Sequence, residues 1–438
     1  MNPDAAGLPG VFGRYREILD RERLVDFDEQ VYRAIQVLLT DPEARHGAQA
    51  RARHLLVDEV QDLAPAHLLL LRLVSAPVLD CFGVGDDDQV IYGYAGADPG
   101  YLIDFDRYFP GATPYALEVD YRCPPGVVQA TTHYLSHTRR RIGKVIRPAP
   151  GRPAAAPDLV VRPVAAEAVG PAVVDQVTTW REGEVSWSDM AVLARVNSAL
   201  LGPQVALTVA GVPATTPLDA KVLDRTGTRA ALAYLRIAAD PGHVSRADLA
   251  ETIRRPSRRI ARNVVEMLAR RPFTSVDDVR RLAGRLSGGD VAKLPSYADE
   301  LDSLSRAAPA GTAAVLAAVR TTIGLGEAMD TLDGSRGSVD RSSHGDDLAA
   351  LEQVAALHPE VATFEPWLRG LLGRRPPPGG DGGDGAAGLD GATTGGRVEL
   401  STVHRVKGRE WGHVAVIGAQ SDLFPHRLAG DPEEERRV

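Results

Sequence analysis

The chain has 438 residues, 44% of them hydrophobic, with a net charge of −8 and two cysteines. This length implies about two or three domains. No stretch is apolar enough to span a bilayer and no basic stretch followed by an apolar core opens the chain, so no membrane association is expected and the cytoplasm is the expected compartment. The acidic balance argues against a nonspecific coat for nucleic acid, yet fits a protein that holds a single strand in a local channel by stacking and a few phosphate contacts.

In chain order, residues 13–40 read as helical. Tyr15, Ile18 and Leu19, then Val31, Ile35, Leu38 and Leu39, recur at three- and four-residue spacings. Leu55–Val57 reads as a short buried strand. Leu68–Leu73 reads as a helix with Pro65 in its first turn, and Val78–Val84 as a second strand parallel to the first. Residues 126–137 form a helix after the Pro124-Pro125 break, and 147–163 a proline-rich connector. Ala191–Asn197 reads as a strand running into a polar loop. Ala230–Ala239 is a helix stopped by Asp240-Pro241-Gly242, and 244–372 is mostly helical by pattern. Residues 374–396, rich in Pro, Gly and Asp, read as a flexible linker. Strand character returns at 398–402 and 414–417, so a second sheet is expected to be split by the helical stretch.

Four of the fifty basic residues are lysine, at 144, 221, 293 and 407. Arginine in such excess, beside abundant Ala, Gly and Pro, reads as genome composition. The arginine runs at 139–141 and 253–259 suit phosphate contacts, but solvated helix faces are the commoner use of such runs. Cys81 and Cys123 are expected as reduced thiols without metal-ligand spacing.

The chemistry concentrates where the first strand ends. His54-Leu55-Leu56-Val57-Asp58-Glu59-Val60-Gln61-Asp62 places adjacent carboxylates at a strand's carboxyl end, where open α/β sheets bind ligands. Such a pair divides two tasks in phosphoryl transfer, one carboxylate holding Mg²⁺ and the other positioning or deprotonating the attacking water. A lone Asp-Glu is more often an acidic turn. Three further segments weigh against that reading: Gly83-Val84-Gly85-Asp86-Asp87-Asp88-Gln89-Val90-Ile91-Tyr92-Gly93-Tyr94-Ala95-Gly96-Ala97-Asp98, Leu117-Glu118-Val119-Asp120-Tyr121-Arg122-Cys123-Pro124, and Leu400-Ser401-Thr402-Val403-His404-Arg405-Val406-Lys407-Gly408-Arg409-Glu410-Trp411.

In this order the four segments resemble motifs II, III, IV and V of the UvrD/Rep/PcrA superfamily 1 DNA helicases. The resemblance covers most of the chain and is thinnest between 240 and 390. It implies an α/β fold of the P-loop NTPase type. Two RecA-like parallel-sheet cores, the first incomplete, would carry an inserted helical domain. The expected boundaries are 1–125 for the first core, 126–217 for the start of the second, 218–373 for the insertion, 374–396 for the linker and 397–438 for the rest of the second core. Its implied activity is ATP-dependent 3′→5′ translocation on single-stranded or partly duplex DNA in repair or recombination, with ATP and Mg²⁺ as cofactors.

Carried over residue by residue, the resemblance makes Asp58 and Glu59 the metal pair and Glu59 the base that activates water. Gln89 becomes a γ-phosphate sensor, Tyr121 an adenine-stacking ring and Arg122 an arginine finger. Glu410 resembles the acid that binds the ribose hydroxyls, and Lys407 before Gly408 serves phosphate or couples the sites. Tyr92 and Tyr94 would stack on bases, while Asn197, Thr402 and His404 resemble DNA contacts. Within Asp86-Asp87-Asp88 a loop cap is a commoner role than a metal ligand. Arg254-Arg255-Pro256-Ser257-Arg258-Arg259-Ile260 resembles a turn in the family's mobile helical domain.

The chain also departs from the pattern. Ala95 stands where motif III usually has arginine, and Tyr94 where it has tryptophan, which keeps stacking and removes one cation. A phosphate loop Gly-x-x-x-x-Gly-Lys-[Ser/Thr] is not spelled: Gly143-Lys144 is followed by Val145 and lacks the earlier glycine. Glu433-Glu434-Glu435-Arg436-Arg437-Val438 resembles the opening of motif VI. The chain is therefore expected to be a part of such a helicase, inefficient as an ATPase alone. The alternatives are an ATPase-dead module that binds DNA or a protein partner, and a subunit of a helicase–nuclease of the RecB or AddA type.

Overall fold

The computed structural model describes residues 7–93, 96–151, 158–268, 273–283, 293–334, 342–374, 396–421, 423–427, 435 and 437. It is a mixed α/β molecule, mostly helical, with short parallel sheets. The chain divides into two compact units, Met1–Val160 with Glu433–Val438, and Val161–Pro432.

In the first unit the expected helical stretch is broken in two, at Leu8–Glu22 and Phe27–Thr40. The break has a local cause. Arg23 turns into the left-handed region at φ 54°, and Asp26 caps the second helix by accepting from the Glu29 N–H at 2.7 Å. Strand β1 (Leu55–Val57) pairs in parallel with β2 (Cys81–Gly83), Leu56 facing Phe82 in register. Helix Pro65–Ser75 connects them, with proline in its first turn as expected. The second strand is shorter than 78–84, because Leu79 adopts φ 59° and extended pairing begins at Cys81. Leu56 is exposed rather than buried, as is Phe82, so the outward face of this pair is open. Strands β3 (Val119–Asp120) and β4 (Arg147–Pro148) form a second short parallel pair, with helix Pro125–Leu135 between them.

The second unit is built on β5 (Met190–Ala194), whose apolar run is almost wholly buried, as a central strand of a parallel sheet requires. A short antiparallel pair, β6 (Val244–Ser245) and β7 (Phe273–Thr274), lies within the helical stretch. Strands β8 (Glu399–Thr402) and β9 (His413–Val416) flank β5 on either side, both parallel to it. The chain thus leaves the sheet after β5, forms helices from Thr226–Ala239 to Val361–Leu372, and returns to pair with the strand it left.

The helices pack around Leu232, Leu249, Leu301, Leu351 and Phe364, all buried. A polar centre sits among them. The Arg258 side chain, 10% exposed, pairs with Glu300, donates to the carbonyls of Thr252 and Pro256 and to the Tyr234 hydroxyl, and lies 4.7 Å from the Tyr297 ring centroid. Within the run 253–259 this arginine is therefore neither a phosphate contact nor part of a solvated face. It ties the turn after helix Arg246–Arg254 to the helical core.

A second buried charge marks the start of helix His344–Ala355. Ser343 and Asp346 form a reciprocal cap, and Asp347, 2% exposed, faces Arg225 at 2.8 Å. Burial pushes the Asp347 carboxyl up to about 6, with Asp346 and Asp333 adding to the rise and Arg225 opposing it. A folded-state pKa raised above the unfolded value means that protonation favours the fold. The unit should gain stability as pH falls from about 7 to about 5, and lose it as pH rises through the Asp347 pKa. Thermal midpoints of the wild type and Asp347→Asn, followed calorimetrically across this range, should diverge in slope, the variant being flatter. Parallel profiles would show that Asp347 does not titrate there.

Candidate nucleotide and DNA site

In the first unit the site begins where β1 runs out. The Glu59 N–H donates to the Asp58 side chain at 2.9 Å, and Glu59 itself adopts φ 52° and ψ 44°. A non-glycine residue held in the left-handed region stores strain that the surroundings must offset. Two backbone bonds do so, Val60 N–H to Val84 O at 3.0 Å and Val84 N–H to Val57 O at 2.8 Å. They bind the loop after β1 to the loop after β2.

The side chains continue this link. Gln61 is fully buried, donates through its amide nitrogen to the Glu59 carboxylate, and accepts from the Asp86 N–H at 3.0 Å. Asp86 in turn accepts from the Asp88 N–H at 3.1 Å with one oxygen and from the Gln89 amide at 2.8 Å with the other. Gly85 makes room for this approach, since a Cβ there would lie 2.5 Å from the Gln61 carbonyl oxygen. Glu59 and Gln89 are thus joined through Gln61 and Asp86. The sequence points to the two ends and to a loop cap within Asp86-Asp87-Asp88, but gives no role to Gln61.

The acidic run is the nearest approach to a metal-binding group among the described residues. Protein cations already face it: Arg141 bonds Asp88 with two nitrogens at 3.0 and 2.7 Å, and Lys144 reaches Asp87 at 2.7 Å. Asp86 does act as the expected cap, but Asp87 and Asp88 are buried counter-charges. Lys144, the lysine of the isolated Gly-Lys pair, and Arg141, from the first arginine run, are spent on this cluster. Asp58 and Glu59, both exposed at a strand end, offer the hard carboxylate oxygens that Mg²⁺ takes alongside water and phosphate oxygens.

Tyr121 and Arg122 lie in the turn after β3. Asp120 accepts from the N–H groups of Arg122 and Cys123, each at 2.8 Å, and these bonds hold its carboxyl below the usual carboxylate range against the opposing effect of burial. The turn leaves the Tyr121 ring 75% exposed. Tyr92 is half-buried, while Tyr94 and Ala95 fall outside the described residues. Cys81 and Cys123 form no disulfide.

In the second unit, register sets the arrangement. Ala194 pairs with Thr402, so the segments following β5 and β8 emerge from the same sheet end. Asn197 begins a single helical turn three residues beyond β5, and His404 lies in the turn that follows Thr402. Thr402 is buried, and Asn197, His404 and Lys407 are half-buried. Gly408 takes φ 84°, a conformation that suits glycine, and Glu410 follows it on the exposed part of the loop.

The profile of the UvrD/REP helicase N-terminal domain matches residues 3–110, which include both Asp58-Glu59 and Gln89. DNA helicase II of Escherichia coli (strain K12) is 26% identical over 456 aligned residues, covering 100% of this chain and 60% of the relative. The ATP-dependent DNA helicase UvrD1 of Mycobacterium tuberculosis (strain ATCC 25618 / H37Rv) is 27% identical over 467 residues, covering 99% of the chain and 59% of the relative. The chain is thus similar along its length to UvrD-type DNA helicases, and to their N-terminal domain over residues 3–110. A third relative, the ATP-dependent DNA helicase PcrA of Staphylococcus epidermidis, is 25% identical and covers 98% of the chain and 58% of the relative. The chain spans about 60% of the length of the relatives it matches. Among the described residues, no helix is long and apolar enough to cross a membrane.

The turn that presents Tyr121 and Arg122 is capped by Asp120, a residue to which the motif gives no role. Asp120→Ala should speed hydrogen exchange at the Arg122 and Cys123 amides by about tenfold, the equivalent of roughly 1.4 kcal/mol for lost side-chain caps. Exchange elsewhere in the first unit should be unchanged. Equal protection in variant and wild type would mean that the turn holds without its aspartate.

Proposed function

We propose that the chain carries the ATP-hydrolysing and DNA-tracking residues of an ATP-dependent DNA helicase that translocates 3′→5′ on single-stranded DNA in repair or recombination in the cytoplasm. In this reading β1–β3, within residues 1–125, belong to the first of two RecA-like cores and β5, β8 and β9 to the second. The helices between β5 and β8 form the inserted domain.

The observation that carries the reading is the hydrogen-bonded connection from Glu59 through Gln61 and Asp86 to Gln89. Glu59 accepts the proton of the attacking water. Gln89, a neutral amide able to donate and accept, bonds both to that water and to the terminal phosphate. Asp58 and Glu59 would hold Mg²⁺, which neutralises phosphate charge when bound. Tyr121 stacks on the adenine, Arg122 meets the developing γ-phosphate charge, and Lys407, Gly408 and Glu410 contribute to nucleotide binding. Tyr92 and Tyr94 offer faces for bases, while Asn197, Thr402 and His404 contact the strand. Nucleotide-driven rearrangement of such elements moves a strand by cycles of binding and release.

The test is DNA-stimulated ATP hydrolysis by the native protein, tagged at its own locus and purified from its source cells. Glu59→Gln should lower the turnover by at least about 10²-fold, the scale of a lost general base, and leave single-strand affinity within about threefold. Hydrolysis undiminished in the variant would falsify the assignment. Independently, Tyr92→Ala should weaken single-strand binding by about 1–3 kcal/mol, the worth of one base stack, as read by fluorescence anisotropy. Affinity unchanged by the substitution would remove Tyr92 from the DNA path.

A further inference from the structure

Asp86, Asp87 and Asp88 put three carboxylates on consecutive residues, the last two buried. Such a run cannot be buried without partners, since an isolated ionised carboxylate pays a large desolvation cost. Its partners come from 53–58 residues downstream. Arg141 grips Asp88 with two parallel bonds, the Ile142 N–H donates to Asp87 at 2.7 Å, and the Lys144 ammonium reaches Asp86 at 2.5 Å, Asp87 at 2.7 Å and Asp88 at 3.2 Å. The Lys144 and Arg141 side chains are themselves 12% and 14% exposed. Three negative charges face two positive ones, so loss of Lys144 would leave the cluster with only Arg141.

Asp86 is where this cluster meets the candidate site. One of its oxygens takes Lys144, while the other takes the Gln89 amide. A carboxylate can only accept, so the Gln89 nitrogen must face Asp86, which fixes the rotation of the amide. The Asp86 backbone N–H occupies the Gln61 carbonyl oxygen, and the other end of that amide is thereby turned to Glu59. Burial alone would raise the Asp86 carboxyl, but the bonds from Lys144 and Gln89 outweigh it and hold the group below the ordinary carboxylate range. Lys144, despite burial, is held above its ordinary value by the same contacts.

We propose that Lys144, supported by Arg141, is a positioning residue for ATP hydrolysis, holding Asp86 where it orients Gln89 directly and Glu59 through Gln61. The proposal rests on the function given above. It assigns to the segment 141–144 control over the geometry of two side chains in other loops, without contact to the nucleotide.

The test uses Lys144→Met, Lys144→Arg and Asp86→Asn in the native protein. Asp86→Asn keeps the shape and removes one of the three negative charges, so it tests the link even if Lys144→Met fails to fold. Both Lys144→Met and Asp86→Asn should lower kcat at saturating ATP and single-stranded DNA by about 10–100-fold, the scale of a small misplacement of catalytic groups. The KM for ATP and the single-strand affinity should stay within about threefold, and Lys144→Arg should recover kcat to within about fivefold. A kcat unchanged in Asp86→Asn or in folded Lys144→Met would overturn the proposal, leaving Lys144 a structural clasp. If Glu59→Gln leaves hydrolysis intact or the native protein hydrolyses no ATP, the functional reading fails instead. Amide exchange in the 438-residue chain then decides the link by itself: Asp86→Asn should raise exchange at residues 86–89 by about tenfold, and unchanged exchange would refute it.

Discussion

The neutralisation of Asp86, Asp87 and Asp88 is the constraint on which the first unit depends. Two of these carboxylates are buried directly after β2, at a place where the chain must also form the loop carrying Gln89. Arg141, Lys144 and the Ile142 N–H meet that demand together, so the segment leading to β4 is fastened to the loop after β2. The geometry of Gln61 and Gln89 follows from how this charge problem is solved. The Asp86 carboxylate accepts from Gln89 and its backbone N–H donates to Gln61, so each amide has one permitted orientation, and Glu59 inherits its place from Gln61.

In the second unit the governing constraint is register. Strand β5 is sandwiched between β8 and β9, and parallel pairing aligns Ala194 with Thr402 across a sequence gap of some 200 residues. The helices of this excursion pack around Tyr234, Leu301, Leu351 and Phe364 in one apolar core with Met190, Val192 and Leu400 of the sheet, and hold their turns by internal polar contacts such as those of Arg258. The segments carrying Asn197 and His404 emerge at one end of the sheet. Position along the chain and position in the fold are decoupled, which is how motifs so far apart come to serve one sheet.

Much of this was legible in the sequence. Strands β1, β5, β8 and β9 were readable because short apolar runs bounded by turn residues have few other uses, and Pro65, Asp240 and Pro241 marked helix ends by known stereochemistry. The errors have physical causes. The break at 23–26 was missed because apolar periodicity continues across it, while the left-handed Arg23 and the cap by Asp26 are local choices that periodicity does not register. Leu56 was expected to be buried because its neighbours are apolar, but the open face of the β1–β2 pair exposes every second residue. The candidate site was half legible. Motif spelling singled out Asp58, Glu59, Gln89, Tyr121 and Arg122, the side chains proposed to carry the chemistry. Gln61, Asp86 and Asp120 act by holding those residues, and nothing in a single sequence distinguishes a buried amide or a capping carboxylate from an ordinary polar residue.

Lys144 shows the same limit from the other side. By sequence it belongs to a Gly-Lys pair that does not complete a phosphate loop, and Arg141 ends a run suited to phosphate or to a solvated helix face. In the fold both face carboxylates of their own chain. A cation suited to binding phosphate is equally suited to binding Asp87, and only the partner within reach decides between them. The strained backbone of Glu59 belongs to the same logic. A residue in the left-handed region at a strand end is retained when neighbouring bonds over-determine it, here Val60 to Val84 on the backbone and Gln61 on the side chain. The contacts that offset that strain run directly to the loop bearing Asp86 and Gln89. Glu59 and Gln89, the two candidate catalytic side chains, are thus joined by one continuous set of contacts rather than held separately.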